Sequence, residues 1–145
     1  MKTKFAVLIV LLGLLSCASE TTTNNTKAST DNAASIVIKY VNPGITTIVP
    51  VSCEGFDASF KTEMRSVAIK EGTSDFKAMD SLLSLFTDDT SNKHIDVRVK
   101  ILNSYRGDSV ICMDELGHFF SKQRNRYMTN EPLKDFILKI AYSNH

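Results

Sequence analysis

The chain contains no tryptophan and only three histidines among 145 residues. Without Trp the strongest platform for stacking a sugar ring is missing, and only tyrosine remains to substitute. His94, His118 and His145 lie far apart, with neither H-x-x-x-H nor H-E-x-x-H spacing, so no pair of ligands on one helix face can be read for zinc. The Gly-rich phosphate cradles G-x-G-x-x-G and the P-loop are absent, as is the G-x-S-x-G nucleophile turn. The EF-hand pattern D-x-[DN]-x-[DN]-G is also missing. No repeat of solenoid length is present. Charge of one sign is lacking too: seventeen Lys and Arg stand against sixteen Asp and Glu. Without a basic excess there is no electrostatic footprint for a phosphate backbone, so nucleic acid is not an expected partner. No catalytic residue, metal site or cofactor is assigned, and the chain is not expected to be an enzyme.

The most specific stretch is the first seventeen residues. Lys2 and Lys4 precede an apolar run from Phe5 to Leu15, interrupted only by Gly13, which ends in Leu14-Leu15-Ser16-Cys17. A spanning helix needs about 20 apolar residues, so this run is of signal-peptide length instead. General signal peptidase prefers an A-x-A-like site, and Leu15-Ser16 fits that poorly. Leu-Leu-Ser-Cys resembles a bacterial lipobox. The resemblance implies that the thiol of Cys17 is lipidated, that residues 1–16 are removed as a lipoprotein signal peptide, and that the new amine is acylated with a chain such as palmitate. One acyl chain gives only marginal membrane binding, at about 0.8 kcal/mol per buried CH₂, whereas two or three chains anchor stably. Ala18, rather than Asp, follows the cysteine, a pattern that resembles the outer-membrane destination of enterobacteria-like lipoprotein sorting and so implies the outer membrane over the inner one.

The signal holds two of the seventeen basic residues and no acidic one, which leaves fifteen against sixteen, a net −1, from residue 17 onward. Residues 17–35 comprise the lipidated cysteine and a Thr/Asn/Ser-rich segment with no aromatic or large aliphatic side chain. Such a composition cannot bury enough apolar surface to offset its ordering entropy, so it reads as a disordered tether. Residues 36–143 are then one domain.

Two cysteines remain after Cys17. Cys53 and Cys112 form an even pair in what would be an oxidising compartment. A bridge closing about sixty residues would stabilise by about 4 kcal/mol in the loop-entropy picture. The alternative is two buried thiols that pack as small hydrophobes. Cys53, Cys112, Met113 and His118 also supply soft donors of the kind that suit Cu(I), without a ligand-type spacing.

The domain alternates between two periods. Ile36, Ile38 and Tyr40 recur at every second residue. The Asn42-Pro43-Gly44 turn signal then suggests that 45–53 returns as the second strand of a hairpin, with Pro50 confining it to an edge. Asp57 can cap a single turn that brings Phe56 and Phe60 to one side. Residues 64–71 read as a short strand. Ser74 can cap a helix whose Phe76, Met79, Leu82, Leu83 and Phe86 share a face. Ile95, Val97, Val99 and Ile101 alternate strictly with polar residues, and 109–115 returns as their hairpin partner. Phe119-Phe120 and Tyr127-Met128 flank a polar turn in a third hairpin. Asn130 caps a last helix, in which Leu133, Phe136, Ile137, Ile140 and Ala141 follow helical spacing.

The expected fold is α+β: an antiparallel sheet of hairpins with two helices packed on one face. This order, with its Ile-Asp-Val-Arg and Val-Ile-Cys-Met-Asp strands, resembles small uncharacterised envelope lipoproteins of Bacteroidota-type bacteria over residues 36–142, a resemblance that implies no activity. Lys122, Arg124, Arg126 and Tyr127 form a basic turn on an aromatic base, a candidate partner surface. The expected function is that of a lipid-anchored cell-envelope protein with a small non-catalytic interaction domain. It would be held to the membrane by the acyl chains on Cys17 and would meet an envelope protein. The alternative is a small-ligand or soft-metal-binding lipoprotein of the periplasm.

Overall fold

The computed structural model describes residues 35–91 and 94–143. The signal segment, Cys17, the tether up to residue 34 and His145 lie outside the described residues. Seven strands form one antiparallel sheet: β1 (Ser35–Tyr40), β2 (Arg65–Lys70), β3 (Thr87–Asp88), β4 (Val97–Asn103), β5 (Val110–Asp114), β6 (His118–Ser121) and β7 (Arg126–Thr129). Their order across the sheet is β2-β1-β4-β5-β6-β7-β3. Three helices complete the domain: α1 (Phe56–Ser59), α2 (Ser74–Leu82) and α3 (Glu131–Tyr142). The α+β class holds, with a first strand that starts at Ser35, one residue before the expected boundary.

The main core lies between one sheet face and helices α2 and α3. Ile36, Ile38 and Tyr40 of β1 meet Phe76 and Met79 of α2 and Leu133, Ile137 and Ala141 of α3 there. Thr73, not Ser74, caps α2: its Oγ1 accepts from the N–H of Phe76 at 3.1 Å. Asn130 does two jobs at once. Its Oδ1 accepts from the N–H of Leu133 at 3.0 Å, capping α3, and its Nδ2 donates to the carbonyl of Leu82 at 2.7 Å, closing the end of α2. One buried side chain thereby satisfies orphan groups at the ends of both helices and sets them side by side.

The expected hairpin over 36–53 does not form. Both edges of β1 are occupied, by β2 on one side and β4 on the other, so residues 45–53 have no edge to pair with. They run instead as an irregular arm across the opposite sheet face. Val51 fastens the arm: its N–H donates to Asp96 Oδ1 at 2.8 Å, and its carbonyl accepts from the N–H of Val97 at 2.9 Å. The arm continues into α1, and Phe56 at its start and Phe60 at its C-cap sink into a second core with Val41, Val51, Val97 and Cys112. A third, short helix thus covers the face that the two long helices leave open.

The alternating strand divides between the two cores. Val97 pairs with Asp114, yet Val99 pairs with Met113, so β4 carries one extra residue at a bulge. An extra residue reverses which face each side chain meets. Ile95 and Val97 therefore pack in the second core, whereas Val99 and Ile101 pack in the main one. The uninterrupted Ile-Val-Val-Ile pattern carries no trace of this switch.

Candidate functional site

Cys53 and Cys112 are joined, with Cα atoms 5.7 Å apart. Cys112 sits mid-strand on β5 and Cys53 just before α1, so the bridge pins the arm to the sheet. With both sulfurs in the bridge, neither residue offers a thiolate to a substrate or a metal. His118 lies four residues beyond Asp114: its Nδ1 is 2.8 Å from Asp114 Oδ2, while Asp114 Oδ1 accepts from the N–H groups of Leu116 and His118. This buried carboxylate organises the Gly117 turn between β5 and β6, where the backbone adopts φ +90°. Among the described residues, no three His, Cys, Asp or Glu side chains gather as a metal site would require.

The basic turn between β6 and β7 is electrostatically satisfied. Arg124 Nε meets Asp108 Oδ2 at 2.7 Å, Arg126 Nη1 meets Asp88 Oδ1 at 2.9 Å, and Lys122 Nζ stands 3.6 Å from Glu54 Oε1. Each cation has an acid from a different segment. Tyr127 packs against Phe120 with ring centroids 5.1 Å apart. The four residues do not converge: Arg126 and Tyr127 line an open recess that does not include Lys122 or Arg124.

A second charge cluster lies on the arm side. Lys39 and Lys100 are directly opposed on β1 and β4, an arrangement that alone would repel. Asp57 of α1 accepts from both, at 2.6 and 2.5 Å. The Lys100 and Lys39 hydrogen bonds hold its carboxyl below the usual range. Sequence reading made Asp57 a cap; the fold makes it the ion that fixes α1 to the sheet.

Where the two faces meet at one end of the sheet, the structure leaves a cavity of about 290 Å³. The Asn42–Ile45 turn roofs it, the β4 bulge and the end of β5 supply its floor, and Leu138 and Tyr142 of α3 close one side. Arg98 lines it, with Nη2 bonded to Thr47 Oγ1 at 3.2 Å and Asp96 Oδ2 at 2.5 Å, and with the guanidinium 5.3 Å from the Phe60 ring centroid. Its Nη1 is buried and has no hydrogen-bond partner. No sequence signal located this cavity, because it depends on the bulge.

Tyr142 donates its hydroxyl to the carbonyl of Val41 at 2.7 Å, tying α3 to the start of the arm. Burial, reinforced by Tyr40 and Glu115, pushes its phenol up to about 12. Unfolded tyrosine loses its proton near pH 10, so between pH 10 and 12 the unfolded chain ionises first. Stability gained from a protonated Tyr142 is complete below pH 10 and is lost as pH rises toward 12. The expected loss is about 2 kcal/mol, allowing for the partial exposure of the ring. Denaturant titrations across that window should show this slope in the wild type and a shallower one in Tyr142→Phe; equal slopes would refute the assignment.

No family model, curated protein or solved structure matches this chain.

Proposed function

We propose that this chain is a lipid-anchored protein of the bacterial cell envelope, more specifically of the outer membrane, whose folded domain is a non-catalytic interaction module. The Leu14-Leu15-Ser16-Cys17 motif behind a charged and then apolar leader carries the proposal. The Cys53–Cys112 bridge supports export, since such bridges persist in oxidising compartments and are rare in the cytosol. The domain also displays apolar side chains where a partner can reach them. Residues 41–52 hold no charge, and within them Ile48 is fully exposed and Val49 largely so. An uncharged, exposed apolar segment on a pinned arm suits contact with an envelope protein.

The test is Cys17→Ala. The variant should take up no radiolabelled palmitate, and it should accumulate as uncleaved precursor or leave the membrane fraction. Palmitate incorporation equal to wild type would sink the lipid anchor.

A further inference from the structure

We infer that the outer edge of β2 is a self-association site, at which a second copy of this chain adds its own β2 antiparallel about a two-fold axis at Ala68. This inference does not depend on the lipid anchor.

The two edges of the sheet are unequal. β3, at one edge, is two residues long and offers little backbone to a further strand. β2, at the other, has six residues and pairs with β1 residue for residue from Arg65 to Lys70, without a bulge. Among the described residues no strand pairs with its outer side. An unpaired edge is a template for another strand, and monomeric proteins guard it with a proline, a bulge, an inward-pointing charge or a very short strand. β2 has none of these devices: Ser66, Val67, Ala68 and Ile69 at its centre are uncharged, and its cations stand at its ends. Ser66 and Ala68 are exposed, on the face turned away from Ile69 and the main core.

Symmetry then restricts the register. A two-fold axis between antiparallel strands passes through a pair of like-numbered residues, and every other pair follows from that one. An axis at Ser66 would set Ile69 against Glu63 of the second copy, and one at Ile69 would set Val67 against its Glu71. Each puts a carboxylate against apolar surface. An axis at Val67 would oppose Glu63 to Glu71, like charges directly across the pair. The axis at Ala68 has none of these faults. It sets Val67 against Ile69, Ser66 against Lys70 and Arg65 against Glu71. β-Branched pairs and opposite charges directly across a strand pair favour it.

The apolar face of one β2 thereby continues into that of the other, and the small Ala68 side chains meet at the axis. The edge complements itself in both charge and apolar pattern, and for that reason the occupant is a second copy rather than a foreign strand. An interface one strand deep is small, so a Kd of about 100 µM is expected.

Cysteine cross-linking tests the register. The full chain in phosphatidylcholine vesicles is oxidised with copper phenanthroline at a concentration near that Kd. Ala68→Cys places two thiols across the axis, with Cβ atoms about 5 Å apart, and should give a disulfide-linked dimer. Ser66→Cys lies on the same face, but each thiol is then more than about 13 Å along the strand from its counterpart. Its dimer yield should be at least about tenfold lower. Ser66→Cys combined with Lys70→Cys again sets thiols directly opposite and should restore the dimer. Adding Ala68→Glu to that pair sets two carboxylates across the axis and should cut the yield about fivefold. All three positions are exposed, so these changes leave the core intact. Wild type supplies the background, since Cys17 is the only cysteine outside the Cys53–Cys112 bridge. The site is refuted if Ala68→Cys yields no dimer above that background. It is also refuted if Ser66→Cys cross-links as well as Ala68→Cys, as random collision would produce. A thiol at position 68 that neither cross-links nor reacts with maleimide would mean that residues 17–34 of the same chain cover the edge, and overturns the second copy.

Discussion

Alanine at both Cys53 and Cys112 is expected to lower the free energy of unfolding by about 4 kcal/mol. The two residues are 59 positions apart, and breaking their bond frees a long loop in the unfolded chain. Natural domains are stable by only about 5–15 kcal/mol, so this is a large share of the total. The native state suffers as well. Residues 45–53 make no strand pairing, and the arm is held mainly by the bridge, by Val51 and by the burial of Phe56 and Phe60. Urea denaturation should show a lower midpoint together with a steeper m-value, because the unfolded chain exposes more surface without the link. Hydrogen exchange adds a local reading. The Val97 N–H, bonded to Val51, should lose protection more than N–H groups within the β1–β4 ladder. A stability loss under about 1 kcal/mol would show that the bridge holds nothing the packing does not already hold.

Phe119→Ala should cost about 3–5 kcal/mol, and Phe120→Ala about 1 kcal/mol. These neighbours on β6 face opposite ways. Phe119 is fully buried, stands between Met113 and Met128 on the adjacent strands, and meets the Phe86 ring edge-on at 5.1 Å. Phe120 is half-buried on the arm side, against Tyr127. Removing the first ring empties the centre of the main core; removing the second thins the rim of the smaller one. Thermal or urea unfolding of the two variants side by side checks the assignment. A reversed order would mean that β6 pairs one residue out of register, because a single slip exchanges the faces.

These two predictions depend on information of different kinds. The identities of Cys53 and Cys112 already suggested a pair, but only their placement on the sheet and the arm brought the Cα atoms within bridging distance. Phe119 and Phe120 are indistinguishable by composition. Their inequality comes from strand order, since β6 lies between β5 and β7 and faces α2 and α3 on one side only. The basic turn shows the same limit. In sequence Lys122, Arg124 and Arg126 form a basic turn, because Glu54, Asp108 and Asp88, which oppose them, come from other segments of the chain. The cavity was illegible for the same reason: no local pattern announces a bulge, and the lining comes from four separated segments.

What the sequence by itself determined is therefore what depends on near neighbours. The α+β class, the pairing of β4 with β5, the pairing of β6 with β7 and the cap at Asn130 belong to this level; the start of α2 does as well, within one residue, since Thr73 and not Ser74 is its cap. Each rests on residues within a few positions of one another, where spacing translates directly into helix faces, strand faces and turns. Tertiary structure alone decided which strands adjoin β1, and with that the fate of residues 45–53. It also decided where β4 changes faces, which acid meets each cation, and where space is left between the cores. The physical reason is competition for partners. A strand has two edges and a charge has a limited shell, and which distant segment fills them is settled only when every segment seeks a place at once.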